Sequence, residues 1–140
     1  MKKFKLIIAL FLCLFLAAPS FAAVGDVVAK DKLSGSTDGL GILVVATATA
    51  GTLIHTAVTG TTNFDEVWLW AYNSHTSAVK LTIEYGGVTV PNNTIKKVIP
   101  ADSGFYLVLP GLVLQNALVI RAFADTASKV VVYGYVNKMT

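Results

Sequence analysis

From Leu40 onward the chain breaks into short β-branched and aromatic runs separated by turn residues, and that punctuation limits the fold more than any other feature. No stretch after residue 22 keeps the three-and-four apolar spacing of an amphipathic helix. The runs that read as strands are Ile42 to Thr47, Thr52 to Val58, Glu66 to Tyr72, Val79 to Tyr85, Thr94 to Ile99, Phe105 to Leu109, Ala117 to Ala124 and Lys129 to Val136. In VKLTIEY, Val79, Leu81, Ile83 and Tyr85 share one face, while Lys80, Thr82 and Glu84 form an expected wet face. Gly86-Gly87 supports a tight reversal after it, and Pro91-Asn92-Asn93, Asp102-Ser103-Gly104 and Pro110-Gly111 read as further turns. About eight short strands, with turn signals every 8 to 12 residues, predict an all-β fold, an antiparallel β-sandwich or jelly roll.

The segment before these strands reads differently. MKKFKLIIALFLCLFLAAPSFAA places three lysines before an apolar run and ends in small residues, the pattern of a cleaved signal peptide over residues 1–22. Its apolar run of about 13 residues is short of the roughly 20 that a membrane-crossing helix needs, so no permanent membrane span is expected. The leader directs export to the periplasm or outside the cell. Residues 23–39 then form a polar arm rich in Gly, Ser, Thr and Asp, and 40–140 the β-sandwich domain.

Of the 11 basic residues, Lys2, Lys3 and Lys5 lie in the leader, and the rest balance the 8 acidic residues. The remaining chain is formally neutral, which gives no support for nucleic-acid binding. Cys13, the only cysteine, also lies in the leader, so no disulfide is expected and packing must supply the stability.

Chemistry-bearing residues are sparse. There is no Gly-x-Ser-x-Gly elbow and, beyond the leader, no thiol nucleophile. His55, in TLIHTAV, reads as a structural histidine bonded to backbone, and His75, in NSHTS, as a loop residue. Two separated histidines without cysteine do not make a zinc set. Asp26, Asp31 and Asp38 lack the spacing of a calcium loop. Neither metal nor cofactor is expected. Asp65 and Glu66 invite a glycosidase reading, but adjacent strand residues face opposite ways, so Asp65 is expected to accept backbone hydrogen bonds at the strand entry instead. Asn92-Asn93-Thr94 matches a glycosylation sequon, a short and common pattern.

NFDEVWLWAYN holds the one concentration of binding potential. In a strand, Trp68, Trp70 and Tyr72 share a face and Val67, Leu69 and Ala71 share the other, so both faces are apolar. The favoured expectation is a strand covered on two sides, with the three aromatics in the sandwich interior or at a subunit interface. Tryptophans two residues apart also match the spacing of adjacent sugar units, so a carbohydrate platform is the competing reading.

STDGLGI, GTLIHTAVTGTTNFDEVWLWAYN, LTIEYGG and VLPGLVLQNALVIRAFA, taken together from Leu33 to Asn137, resemble the small β-sandwich virion proteins of tailed phages, of the head-decoration or head-fibre type. The resemblance implies a non-enzymatic structural or assembly protein that forms homo-oligomers and sits with capsid or fibre proteins. The leader departs from that family, whose head proteins assemble in the cytoplasm. The alternative is a secreted module that binds cell-surface glycan through Trp68, Trp70 and Tyr72. A third reading has the arm, residues 23–39, donated to a neighbour's sheet edge.

Overall fold

The computed structural model of the protein describes residues 28–102 and 104–140. The expected signal peptide and the first residues of the polar arm lie outside the described residues. Among the described residues there is no helix, and nine strands form: β1 (Val28–Lys32), β2 (Ile42–Leu43), β3 (Thr52–Thr56), β4 (Phe64–Asn73), β5 (Val79–Tyr85), β6 (Thr94–Ile99), β7 (Tyr106–Leu114), β8 (Val119–Ala124) and β9 (Val130–Met139). They make two antiparallel sheets, β1-β9-β4-β7 with β2 also on β9, and β3-β8-β5-β6. The fold is all-β and sandwich-like. From β2 onward only the β5–β6 connection stays within one sheet; every other connection crosses to the opposite sheet.

The core follows period two. Along β4 burial alternates without a break, and Val67, Leu69 and Ala71 are fully buried. Opposite them on β9 stand Val136, Gly134 and Val132. The second sheet meets this layer with Val79, Leu81 and Ile83 from β5, Ile99 from β6, and Ile120, Ala122 and Ala124 from β8. Each large aliphatic side chain taken from water contributes about 1.5–3 kcal/mol.

Four sequence expectations are corrected. Pro110-Gly111 is no turn: β7 runs through it as an edge strand. Against β4 its register skips Gly111 and then Val108, making two bulges, and Gly111 takes a φ of 75° that suits glycine. Proline is tolerated there because an edge strand can forgo one N–H. Gly86-Gly87 begins a longer loop, residues 86–93, closed at its base by Tyr85 N–H to Asn93 O at 2.7 Å and Asn93 Nδ2–H to Tyr85 O at 3.2 Å.

The wet face of β5 is also only partly wet. Lys80 is exposed, but Thr82 and Glu84 are buried. Their cross-strand neighbours are Phe123 and Lys96 for Thr82, and Arg121 and Thr94 for Glu84. Residue 51 then folds over this surface: Gly51 N–H donates to Glu84 Oε2 at 2.9 Å while Gly51 O accepts from Arg121 Nη1 at 3.2 Å. Finally, residues 28–32 of the expected arm are a strand, laid antiparallel on Tyr135–Met139 of their own chain.

Gly134 is where β9 presses closest on β4. A Cβ there would collide with the Trp68 carbonyl oxygen and sit 2.8 Å from Leu69 Cδ2. Gly134→Ala should therefore lower stability by about 1–3 kcal/mol, read as a reduced urea midpoint at unchanged slope.

Candidate functional site: the aromatic outer face

The alternation that buries Val67, Leu69 and Ala71 turns Trp68, Trp70 and Tyr72 away from the core. These three are partly exposed on the outer face of their sheet, so the interior placement expected for them is corrected: the strand has one dry face, not two. β9 adds its own aromatics on that side, with Tyr135 opposite Trp68 and Tyr133 opposite Trp70. On the other flank β7 sets Pro110 opposite Trp68 and Leu107 opposite Trp70.

The rings form two contacting sets that meet at one apolar cup. Trp68 and Trp70 are stacked, with centroids 6.2 Å apart and planes at 21°. Trp70 reaches diagonally to Tyr135 at 5.9 Å, and Lys30 Nζ of β1 lies 4.2 Å above the Tyr135 ring, a cation–π contact. Phe105 meets Tyr133 edge-on at 5.0 Å. Together Trp70, Phe105 and Tyr133 line an apolar cup of about 270 Å³. Phe105 is 63 % exposed, a large share for a phenylalanine that no loop covers.

Gly111 makes the first set possible. A Cβ there would lie 2.9 Å from the Trp68 indole and 2.8 Å from Glu66 Oε1, so the bulge clears space for the ring. Glu66, outward like the tryptophans, accepts a hydrogen bond from Asn137 Nδ2 at 2.6 Å and closes one end of the patch with polar groups. Sequence reasoning missed Tyr133, Tyr135, Phe105, Leu107 and Lys30. YGYVN carries the alternation that places both tyrosines on one face, but nothing in the sequence pairs that run with NFDEVWLWAYN.

A second cluster lies inside. Asp65, inward from β4, accepts from His55 Nε2 at 2.9 Å and from Val58 N–H at 3.0 Å through the same Oδ2. His55 Nδ1 accepts the Ser34 N–H at 3.1 Å, and Ser34 Oγ accepts the Thr56 N–H at 2.7 Å. The accepting Nδ1 places the imidazole proton on Nε2, where it is donated to Asp65. Histidine and aspartate are 3 % and 1 % exposed, and they join β3 of one sheet to β4 of the other. A bulge in β3 between Leu53 and His55 turns both Ile54 and His55 inward.

Ser34, His55 and Asp65 are the residue types of a hydrolytic triad, brought together across a wide sequence separation. Their hydrogen bonds run otherwise than in a triad. Because the Nδ1 lone pair is taken by the Ser34 amide, the imidazole offers the Ser34 hydroxyl no acceptor. A cavity of about 390 Å³ adjoins the cluster, lined also by Asp31, Lys32, Thr59 and Lys138. At its rim Asp31 and Lys138 pair at 2.6 Å, and the ammonium's hydrogen bond holds the Asp31 carboxyl below its ordinary value of 3.8. Asp65 and Glu66 thus part to opposite faces and do not confront a common ligand.

His75 caps its own loop: its Nδ1 accepts from Ser77 N–H at 3.0 Å, and its N–H donates to Asn73 Oδ1 at 2.8 Å. Among the described residues no three His, Cys, Asp or Glu side chains gather closely enough to hold a metal ion.

The inter-sheet pair should register in stability. Asp65→Ala leaves the His55 and Val58 donors without their buried acceptor, at about 1–3 kcal/mol for each group, whereas Asp65→Asn keeps one acceptor and costs less. Urea denaturation of the two variants checks the ranking. The chain matches no protein-family model, no curated protein and no solved structure.

Proposed function

We propose that the protein is a non-enzymatic assembly module whose aromatic outer face, centred on the Trp70–Phe105–Tyr133 cup, docks against a second copy or a neighbouring capsid or fibre protein. The observation that carries this reading is the outward display of an apolar surface: Phe105, Leu107 and Tyr133 are exposed beside the partly exposed tryptophans. Aromatic residues are the side chains that most often anchor interfaces. A large exposed apolar patch on a folded domain marks an interaction surface.

Closed assembly rather than open-ended sheet growth is supported by the edges. β7 is blunted by Pro110 and two bulges, β6 carries Lys96 and Lys97, and β1 reads VAKDK. Such features discourage open-ended sheet extension. The strand order adds fold-level support, because a five-stranded and a four-stranded sheet with nearly every connection crossing between them fit a jelly-roll reading, an architecture used by capsid proteins and lectins alike. The resemblance of the strand and turn runs to tailed-phage decoration and head-fibre proteins points the same way, and export to a cell surface is the alternative destination implied by the leader.

A carbohydrate platform is the second reading, favoured by one observation: the Trp68 and Trp70 planes lie within 21° of each other on a water-facing surface. Light scattering after size-exclusion chromatography tests the first reading. Wild-type protein should be oligomeric, and Phe105→Lys, at an exposed position, should dissociate it while the circular dichroism spectrum is unchanged; a monomeric wild type overturns docking against a second copy. Tryptophan fluorescence across a glycan panel tests the second, which requires a saturable response that Trp68→Ala abolishes.

A further inference from the structure

We propose that β1 is exchanged between copies: residues 28–32 of one chain pair with Tyr135–Met139 of a second, so that each aromatic face is completed by the partner subunit's Lys30. This rests on the reading of the protein as an assembly module, and it names the partner as a second copy of the same chain.

The observation that starts the argument is an imbalance along one short segment. All five β1 residues are exposed, Val28 at 54 %, and none contributes to the core. The strand is held by one backbone ladder on β9, by the solvent-facing Asp31–Lys138 pair and by Lys30 over Tyr135. One residue later the chain is fixed. Leu33 is 1 % exposed within the core, Ser34 is bonded through both its amide and hydroxyl, and Gly35 N–H donates to Ile54 O at 3.0 Å. The Lys32–Leu33 peptide is therefore the boundary between a strand that buries almost nothing and a root that cannot move.

The vacated edge dictates what replaces β1. β2 occupies the same side of β9 at Val131 and Val132, so only the stretch from Tyr135 to Met139 would be bare. Unpaired N–H and C=O groups along that stretch call for another extended strand. VAKDK from a second copy reproduces the whole set at once: the register, the Asp31–Lys138 ion pair and the cation over Tyr135. Because every contact made within one chain is re-made between two, exchange costs only the new path at the pivot, and the reciprocal swap closes a two-fold dimer. It also couples assembly to the candidate site, since Lys30 is the cation at one end of the first ring set.

Cysteine pairing in trans tests the exchange. Ala29 and Lys138 are opposed across the β1–β9 ladder, a separation that suits a disulfide in either kind of antiparallel pair. Full-length chains carrying Ala29→Cys or Lys138→Cys singly, each with Cys13→Ser, are mixed, refolded together and oxidised. The expected result is a covalent heterodimer whose peptide mass joins position 29 of one chain to position 138 of the other. Val28→Cys with Met139→Cys repeats the test with the Asp31–Lys138 pair intact. Absence of the trans link in both pairs overturns the exchange. Should it be absent while Phe105→Lys still dissociates an oligomer, exchange alone has failed; should it form while Phe105→Lys leaves the mass unchanged, the aromatic docking face alone has failed.

Discussion

β4 and β9 pair over ten residues without a slip, from Phe64 opposite Met139 to Asn73 opposite Val130. The rest of the molecule depends on that unbroken register. Side chains in a strand alternate strictly, so a displacement by one residue would send Trp68, Trp70 and Tyr72 into the core and Val67, Leu69 and Ala71 to solvent. The ladder is also shared outward, because β7 lies on the free side of β4 and both N-terminal strands lie on the free side of β9. Aliphatic residues define the inside of the sheet and rings the outside, and a single pairing enforces both.

Legibility in the sequence followed the reach of each signal. Val79–Tyr85 and Thr94–Ile99 were readable because alternation and flanking turn residues are local. Pro110-Gly111 misled because the same dipeptide serves a turn or a bulge, and only an edge position beside β4 decides between them. Glu84 looked solvated because a carboxylate on a polar face usually is. Its buried carboxylate accepts the Gly51 N–H, and Gly51 is itself tied to Arg121, neighbours that arrive from distant parts of the chain. Alternation alone groups Trp68, Trp70 and Tyr72 on one face, but which face meets water depends on the inward side chains of the opposing sheet.

The two clusters of the molecule differ in what their surroundings permit. Inside, His55 and Asp65 spend their hydrogen-bonding capacity on Ser34 and Val58 and act as a polar tie between sheets. Only Asp65 Oδ1 lacks a partner there among the described residues. Outside, Trp68, Trp70 and Tyr135 pack in one set and Phe105 and Tyr133 in another, yet between them an apolar cup stays open. The first arrangement is closed on itself, and the second invites a further surface.

The crossing connections also set the order in which the sheets can form. β1 and β2 have β9 as their only sheet neighbour, so both wait for residues 130–139 before any of their ladder can be made. The hairpin of β5 and β6 is the one piece that closes locally. Loop closure over nearly the full described length must precede the reward of pairing, which makes such topologies slow and cooperative folders. A chain synthesised in sequence therefore holds β1 and β2 without their sheet partner until residues 130–139 exist, while β5–β6 and β4–β7 can already pair.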